Sequence, residues 1–282
     1  MTKTFLSLFL TLSVLLLSGC PAPQEQHQTI TIKGSDTMVQ LGQRWAELYM
    51  MAHPDVTIQV TAGGSGNGIA ALIEGTTQIC QASRPMKDAE KESVKTKQNK
   101  EAVETAVALD ALAVYVNKEN DIKTLTMEQI AKIFLGEITN WKDVGGKPGN
   151  IVLYGRENSS GTYVYFKEHV LANKDFPSKY QALPGTGAVV DAVSKDKGGI
   201  GYGGIGYATD IKTVPITKEA GAMPIEPTMA NVLNGSYPIS RQLYWYTAGP
   251  PEGAIKALVD WVLGPEGQKV VSEKGFYPLK GE

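Results

Sequence analysis

The chain has 282 residues, a formal net charge of −2 at pH 7 and two cysteines, Cys20 and Cys80. A net-negative chain has no overall attraction for nucleic acids or anionic membranes, so the composition argues against a nucleic-acid-binding protein. The length allows one large domain or two modest ones. An intrachain disulfide is excluded if Cys20 is modified as described next.

The N-terminus has the layout of an export signal. Lys3 supplies a positive start, residues 5–17 are almost all apolar or hydroxyl-bearing, and Ser18-Gly19-Cys20 follows. The apolar run is short for a membrane span, which needs about 20 residues. This segment resembles a bacterial lipoprotein signal, in which the cysteine is lipidated and becomes the first mature residue.

That resemblance implies a signal peptide over 1–19 and a lipid, such as palmitate, on Cys20. The protein would then be exported and anchored to a bacterial membrane, at its outer face or in the periplasm. The alternative is an ordinary signal that is cleaved near the same point. Residues 20–28 are rich in Pro and Gln and are predicted to be a polar tether.

Strand-like and helix-like segments then alternate along the chain. Residues 29–33, 56–60, 107–117 and 151–155 have strand patterns. Apolar residues recur at helical spacing after the first of these strands, at Met38, Leu41, Trp45 and Leu48. Residues 126–129 form a capping box that opens another helix. Alternation of this kind predicts an α/β fold with mainly parallel sheets.

Three strand-to-helix junctions consist mainly of glycine and small hydroxyl residues, at 34–37, 63–68 and 159–162. The first turn of a helix leaves backbone N–H groups unpaired and carries a positive partial charge. Glycine allows a ligand to approach the backbone, and hydroxyls add donors. Any one junction is also an ordinary helix cap. Three in one chain favour a site for a small oxyanion.

Arg156 directly precedes the third junction. A guanidinium can hold two oxygens of a tetrahedral anion, and Ser160, Gly161 and Thr162 can add hydroxyl and backbone donors. The alternative is a surface salt bridge between Arg156 and Glu157.

Seven segments carry a more specific resemblance. In chain order they are IKGSDTM, TAGGSGNGIAALIEG, ASRPMK, GRENSSGTY, GAVVDAVSKDKGGIGYGGIGYA, YPISRQLYWYT and GPEGQKVVSEKGFYPL. Together they resemble the extracytoplasmic phosphate-binding proteins of bacterial phosphate ABC transporters, over residues 29–282. The resemblance implies a two-lobed, type II periplasmic binding protein fold. Two hinge strands join the lobes, and phosphate lies in the cleft between them.

The resemblance also implies lobe boundaries and partners. Lobe one is expected over 29–111 plus 242–282, and lobe two over 112–241. The expected partners are inorganic phosphate and the permease subunits in the membrane, and the protein is expected to be a monomer without cofactor or metal. The implied ligand-binding residues are Ser35, Asp36, Thr37, Ser65, Arg156, Ser160, Gly161 and Thr162.

One segment departs from the family pattern. Well-known members carry an aspartate that accepts a proton from phosphate, where this chain reads Ala82-Ser83-Arg84. Sulfate has no proton at neutral pH, so a buried carboxylate there rejects it. We expect Ser83 and Arg84 near the ligand, with Asp36 as the replacement acceptor. If Asp36 only caps its helix, selectivity against sulfate is in doubt.

Three other classes of function remain open. A phosphate-ester hydrolase would need a nucleophile with a base, or metals. The three histidines, His27, His53 and His169, lie in the tether, before a proline and on the polar side of a helix pattern, and no catalytic motif is present. A surface adhesin or sensor of this fold is the second class. A binding protein for sulfate, molybdate or another oxyanion is the third.

Overall fold

The computed structural model describes residues 27–219 and 221–279. The predicted signal peptide, Cys20 and most of the predicted tether lie outside these ranges. The strands are β1 Gln28–Gly34, β2 Val56–Thr61, β3 Ile79–Ala82, β4 Ala102–Val116, β5 Leu125–Thr126, β6 Val152–Arg156, β7 Gln181–Leu183, β8 Gly199–Gly204, β9 Lys212–Val214, β10 Ile216–Thr217 and β11 Ser240–Ala248.

The α-helices are α1 Val39–Ala52, α2 Ser65–Ile73, α3 Asp88–Gln98, α4 Met127–Phe134, α5 Gly161–His169, α6 Thr186–Lys195, α7 Met229–Leu233, α8 Gly253–Leu263 and α9 Pro265–Glu273. Short 3-10 turns occupy Asp36–Met38, Trp141–Val144 and Ile205–Tyr207. Among the described residues, no helix combines the length and apolar composition needed to cross a bilayer.

Most strands form one mixed sheet in the order β2-β1-β3-β11-β4-β8-β6-β7, with β9 also paired to β4. The outer pairs, β1 with β2 and β3, and β6 with β7 and β8, are parallel. The central pairs, β11 with β3 and β4, and β4 with β8 and β9, are antiparallel. The prediction of mainly parallel sheets is therefore wrong for the centre, because β4 and β11 traverse the molecule in opposite directions.

Strand β4 changes partners halfway along its length. Residues 102–111 pair with β11, and residues 112–116 pair with β8 and β9. Separate apolar cores lie on the two sides of this change. One is built mainly on β1, β2 and α1 with β11, α8 and α9, and the other mainly on β8, α4 and α5 with the second half of β4. We refer to the regions around these cores as lobe one and lobe two.

Aromatic packing fixes each core. In lobe one, Trp45 packs edge-on against Trp245 with ring centroids 5.3 Å apart, and its indole N–H donates to the Gly267 carbonyl at 2.8 Å. In lobe two, Phe166 stacks on Tyr202 with centroids 3.8 Å apart. Each lobe thus has its own packed interior, and β4 and β11 connect them.

Two chain positions differ from the sequence expectation. Strand β1 begins at Gln28, inside the predicted tether, because the Gln28 N–H donates to the Asp55 carbonyl at 2.9 Å. Tyr207 falls within the predicted range of lobe two but packs into the core of lobe one. The exact lobe boundaries remain a prediction.

Candidate anion-binding site

The three glycine- and hydroxyl-rich junctions meet between the two lobes. Their side chains, together with Ser83 after β3, form a set that we call the hydroxyl cluster. Every member is at most 2% exposed. The hydroxyl cluster consists of Ser35, Thr37, Ser65, Ser83, Ser160 and Thr162.

Short contacts join residues that are far apart in the chain. The Ser35 hydroxyl donates to Ser83 Oγ at 2.9 Å. The hydroxyl oxygens of Thr37 and Thr162, 125 residues apart, are 2.8 Å from each other. A Cβ atom added to Gly161 would lie 2.3 Å from Ser65 Oγ. The start of α5 in lobe two therefore lies directly against the cluster residues of lobe one.

Glycine allows these close approaches. Gly34 has φ +140°, and a Cβ there would lie 2.1 Å from the Gln81 carbonyl oxygen, which accepts the Ser35 N–H at 2.8 Å. Gly64 has φ +96°, and a Cβ there would lie 2.6 Å from the Ser159 carbonyl oxygen. That oxygen accepts the Gly66 N–H across the lobes at 2.9 Å. Both glycines adopt conformations that L-residues avoid.

Arg156, at the end of β6, is buried beside the cluster. Its Nη1 donates to Thr186 Oγ1 at 2.9 Å, and its Nη2 donates to the Pro184 carbonyl at 3.0 Å and to Asp36 Oδ2 at 2.6 Å. Its Nε is buried without a hydrogen-bond partner among residues 27–219 and 221–279. The alternative of a surface salt bridge between Arg156 and Glu157 is wrong, because the carboxylate that Arg156 binds is Asp36, in the other lobe.

Asp36 does not cap its own turn. Its Oδ1 accepts the Gly63 N–H at 3.2 Å, and its Oδ2 binds Arg156. Its backbone carbonyl accepts the Tyr207 hydroxyl at 2.7 Å. The carboxylate therefore lies at the junction of the two lobes, beside the arginine that sequence analysis selected.

Sequence analysis missed a second buried arginine. Arg241 on β11 donates from Nε at 3.0 Å and from Nη2 at 2.8 Å to Asp110 Oδ2, and from Nη2 at 3.0 Å to Thr162 Oγ1. Asp110 lies opposite it on β4 and is fully buried. Burial raises the pKa of Asp110, although Arg241 and the Ile205 N–H oppose that effect.

A signal for this pair was present in the sequence. Asp110 lies inside the apolar segment ALDALAVYV, and Arg241 begins the segment RQLYWYT; each is the single charge of its segment. A charge buried in a strand is costly unless it is paired, so each predicts a buried partner of opposite charge without identifying it.

Arg84 is not brought to the cluster. Its Nη1 donates to Glu90 Oε2 and to the Pro85 carbonyl, both at 2.8 Å, and its Nη2 donates to Glu90 Oε1 at 2.7 Å. Among the described residues Arg84 makes no hydrogen bond to the cluster; Glu90, at the start of α3, engages its guanidinium instead. Its neighbour Ser83 does belong to the cluster.

Several oxygens of the hydroxyl cluster already accept hydrogen bonds from the protein. Thr162 Oγ1 accepts from Arg241, Ser65 Oγ accepts the Ser83 N–H at 3.0 Å, and Ser160 Oγ accepts the Thr162 N–H at 3.1 Å. Arginine can only donate, and a hydroxyl whose oxygen already accepts still has its own proton to give. The carboxylates of Asp36 and Asp110 are already bound to arginines. This arrangement suits a small anion that has several acceptor oxygens.

Within the described ranges, no group of three or more His, Cys, Asp or Glu side chains is arranged to hold a metal ion.

Comparison with known proteins defines the class. A family model described as a PBP superfamily domain matches residues 21–266. The phosphate-binding protein PstS of Pseudomonas aeruginosa PAO1 is 41% identical over 265 residues, covering 87% of this chain and 81% of that protein. PstS of Bacillus subtilis is 33% identical over 252 residues, covering 89% and 81%.

Solved structures agree. A phosphate ABC transporter substrate-binding protein with bound phosphate from Clostridium perfringens superposes with a TM-score of 0.81 at 31% identity, covering 89% of this chain and all of that one. An ABC-type phosphate transport receptor from Vibrio cholerae gives 0.71 at 27% identity, covering 88% and 99%. The predicted two-lobed periplasmic binding protein fold is thereby confirmed. The chain belongs to the PBP superfamily and, within it, to the PstS family of phosphate-binding proteins.

Proposed function

We propose that this protein binds inorganic phosphate between its two lobes and delivers it to the membrane subunits of an ABC transporter. The observation that carries the proposal is the group of buried hydroxyls that meets beside Arg156, whose Nε has no hydrogen-bond partner among the described residues. The relatives named PstS, and the structural neighbour with bound phosphate, favour phosphate over other oxyanions.

Each part of the site has a separate role in the proposal. Arg156 supplies the positive charge, and its unpartnered Nε adds a further donor. The hydroxyl cluster supplies directed O–H donors. The first turns of α2 and α5, at Ser65 and Gly161, supply backbone N–H groups and the positive ends of their helix dipoles.

Asp36 is the proposed acceptor for the proton that phosphate carries near neutral pH. Its carboxylate lies against Arg156 at 2.6 Å and is mostly shielded from solvent. A protonated phosphate oxygen can donate to Asp36, whereas sulfate would present only an acceptor to it. An acceptor facing an acceptor in a buried site is costly, so Asp36 would reject sulfate.

Closure of the cleft is the proposed signal to the transporter. Three contacts cross between the lobes at the cluster: Gly66 N–H to the Ser159 carbonyl, Thr37 to Thr162, and Asp36 to Arg156. An anion bound to donors of both lobes would stabilise this closed arrangement. Excluding water from the cleft strengthens each charge-assisted hydrogen bond.

The proposed location follows from the N-terminal segment. Removal of residues 1–19 and lipidation of Cys20 would hold the protein at a bacterial membrane beside its permease, and we propose that it acts there as a monomer. In that case Cys20→Ala moves the protein from the membrane fraction to the soluble exported fraction. Unchanged membrane retention of the variant would contradict the lipid anchor.

Calorimetric titration tests the binding proposal. The protein is unfolded and refolded to remove any carried-over anion, and phosphate and sulfate are then titrated separately at two pH values. Tight phosphate binding without heat from sulfate is expected. Comparable binding of both ions would instead indicate a general oxyanion receptor, and no heat from either ion would overturn the assignment of the cluster.

A further inference from the structure

Arg241 lies where the two lobes are joined. Arg241 lies near the start of β11 and is paired in register with Asp110 on β4. The side chains of Arg241 and Asp110 are both almost completely buried. Its guanidinium contacts one member of the hydroxyl cluster, through Nη2 at 3.0 Å from Thr162 Oγ1. The same nitrogen is bound to Asp110, so the guanidinium is held in a fixed orientation.

This contact restricts the Thr162 hydroxyl. An arginine cannot accept a hydrogen bond, so the Thr162 proton has to point away from Arg241. Thr37 Oγ1, in lobe one, lies 2.8 Å from Thr162 Oγ1. The chain of bonds therefore runs from Arg241 to Thr162 and on toward Thr37 or a bound anion. Without Arg241, nothing would keep the Thr162 proton from turning toward the position that the guanidinium now occupies.

We propose that Arg241 is a positioning residue that keeps the Thr162 hydroxyl oriented as a donor into the cleft. The inference rests on the proposed function, since it concerns how the same site holds its anion. Asp110 serves this arrangement by neutralising Arg241 and fixing its plane, which makes the hinge strands part of the anion site.

A third arginine–carboxylate pair, largely buried, gives a matched control. Arg84 and Glu90 are joined by two bonds of 2.7 and 2.8 Å, but the remaining hydrogen bond of Arg84 goes to a backbone carbonyl rather than to the cluster. Neutralising this pair removes a buried ion pair from the protein without touching a cluster hydroxyl.

A double-mutant cycle tests the proposal. The pair variant, Asp110→Asn with Arg241→Gln, removes both charges together and so avoids leaving a buried charge unpaired. Phosphate affinity is measured by calorimetry for the unchanged protein, the pair variant, Thr162→Val and their combination. We expect the pair variant to lose about tenfold in affinity when Thr162 is present, since one oriented hydrogen bond is lost.

In the Thr162→Val background, removing the Asp110–Arg241 pair is expected to lower phosphate affinity by less than about twofold, because the hydroxyl on which Arg241 acts is gone. The control, Arg84→Gln with Glu90→Gln, should leave phosphate affinity unchanged. Equal losses in both backgrounds would overturn the proposal, since Arg241 would then act on the anion directly or on the fold. Full affinity in the pair variant would overturn it as well.

If the pair variant does not fold, as judged by its thermal unfolding, Arg241→Lys replaces it in the cycle. Lysine keeps the charge opposite Asp110 but lacks the rigid fork that reaches Thr162. The expected pattern of losses is the same. If the unchanged protein does not bind phosphate, the proposed function fails. If the unchanged protein binds phosphate but the variants do not show the expected pattern, only the inference about Arg241 fails.

Discussion

Arg156 and Arg241 are both buried and both paired with a carboxylate, but their partners lie in different places. Arg156 reaches Asp36 across the lobes, whereas Arg241 reaches Asp110 on the neighbouring hinge strand. The carboxylate offsets the cost of burying each charge. One nitrogen of each guanidinium, Nε of Arg156 and Nη1 of Arg241, has no partner among the described residues, and an anion beside Arg156 would complete the bonding of its guanidinium.

Replacement of Arg156 tests this directly. Arg156→Gln should weaken phosphate binding by about a hundredfold, since hydrogen bonds to charged groups contribute about 1.5–3 kcal/mol each. Arg44→Gln is the matched control, because Arg44 forms an exposed pair with Glu47 on α1. Calorimetry on both variants gives the comparison. Unchanged affinity in Arg156→Gln would contradict the proposed site.

Asp36 should control selectivity rather than affinity alone. Asp36→Asn exchanges an oxygen acceptor for an amide that can donate to sulfate, so sulfate binding should become measurable while phosphate binding weakens. The measurement is competition between sulfate and phosphate at neutral pH. If the variant still excludes sulfate as the unchanged protein does, a group other than Asp36 accepts the proton of the bound phosphate.

Part of the candidate site could be predicted residue by residue from the sequence. The junction pattern selected Arg156 and five of the cluster hydroxyls, because glycine and small hydroxyls at helix starts have few other uses in combination. It did not predict that Glu90, at the start of α3, pairs with Arg84. It missed Asp110 and Arg241 because their pairing depends on the register of β11 with β4, which local pattern does not encode.

At the scale of elements, the start of α5 decides how closely the lobes approach. A Cβ at position 161 would lie 2.3 Å from Ser65 Oγ and 2.8 Å from Ser83 Oγ. Gly161→Ala should therefore hold the lobes apart and weaken phosphate binding by about tenfold or more, because overpacking costs about 1–3 kcal/mol. Thermal unfolding should change little, since the contact is between lobes.

Gly187→Ala is the control for that variant. Gly187 also lies in the first turn of a helix, α6, but an added Cβ there meets nothing within 4 Å. Its phosphate affinity should equal that of the unchanged protein. Equal affinities for the two alanine variants would mean that the lobes do not close on Gly161 when phosphate binds.

The start of α3 gives a prediction for stability. Burial tends to raise the pKa of Glu90, but hydrogen bonds from Arg84 and the Lys87 N–H outweigh it, and the pKa falls below its ordinary value of 4.5. A pKa lowered by folding stabilises the native state above the unfolded value, and this stability is lost as the pH falls through the folded value.

Glu90→Gln should therefore reduce the free energy of unfolding most at neutral pH. The difference from the unchanged protein should shrink as the pH falls below about 4.5. Urea unfolding at several pH values measures it, with the exposed Glu92→Gln as the control. A difference that stays constant from neutral pH to pH 3 would contradict the assigned ion pair.

Local patterns predicted most elements but not their arrangement. The capping box is confirmed, with the Gln129 N–H donating to Thr126 Oγ1 at 3.0 Å and the Thr126 N–H donating to Gln129 Oε1 at 2.9 Å. The mixed centre of the sheet was not predicted. Strand direction there follows from β4 and β11 crossing between lobes in opposite directions, which side-chain periodicity does not report.

At the scale of the whole molecule, the two largest apolar cores are joined by strands β4 and β11, with a buried polar layer between them. The cores stay apolar on either side, and the charges and hydroxyls are gathered between them. A net-negative protein can therefore bind an anion, since local dipoles and buried arginines act at short range while the overall charge does not.

The central claim is that phosphate binds between the two lobes beside Arg156. Its most direct test is a crystal structure of the protein, from crystals grown in the presence of phosphate. We expect tetrahedral density between the lobes, within hydrogen-bond distance of Arg156, Ser35 and the 160–162 turn, with Asp36 facing one of its oxygens. Density located elsewhere, or a cleft in which Arg156 remains bound only by protein groups at saturating phosphate, would contradict the claim.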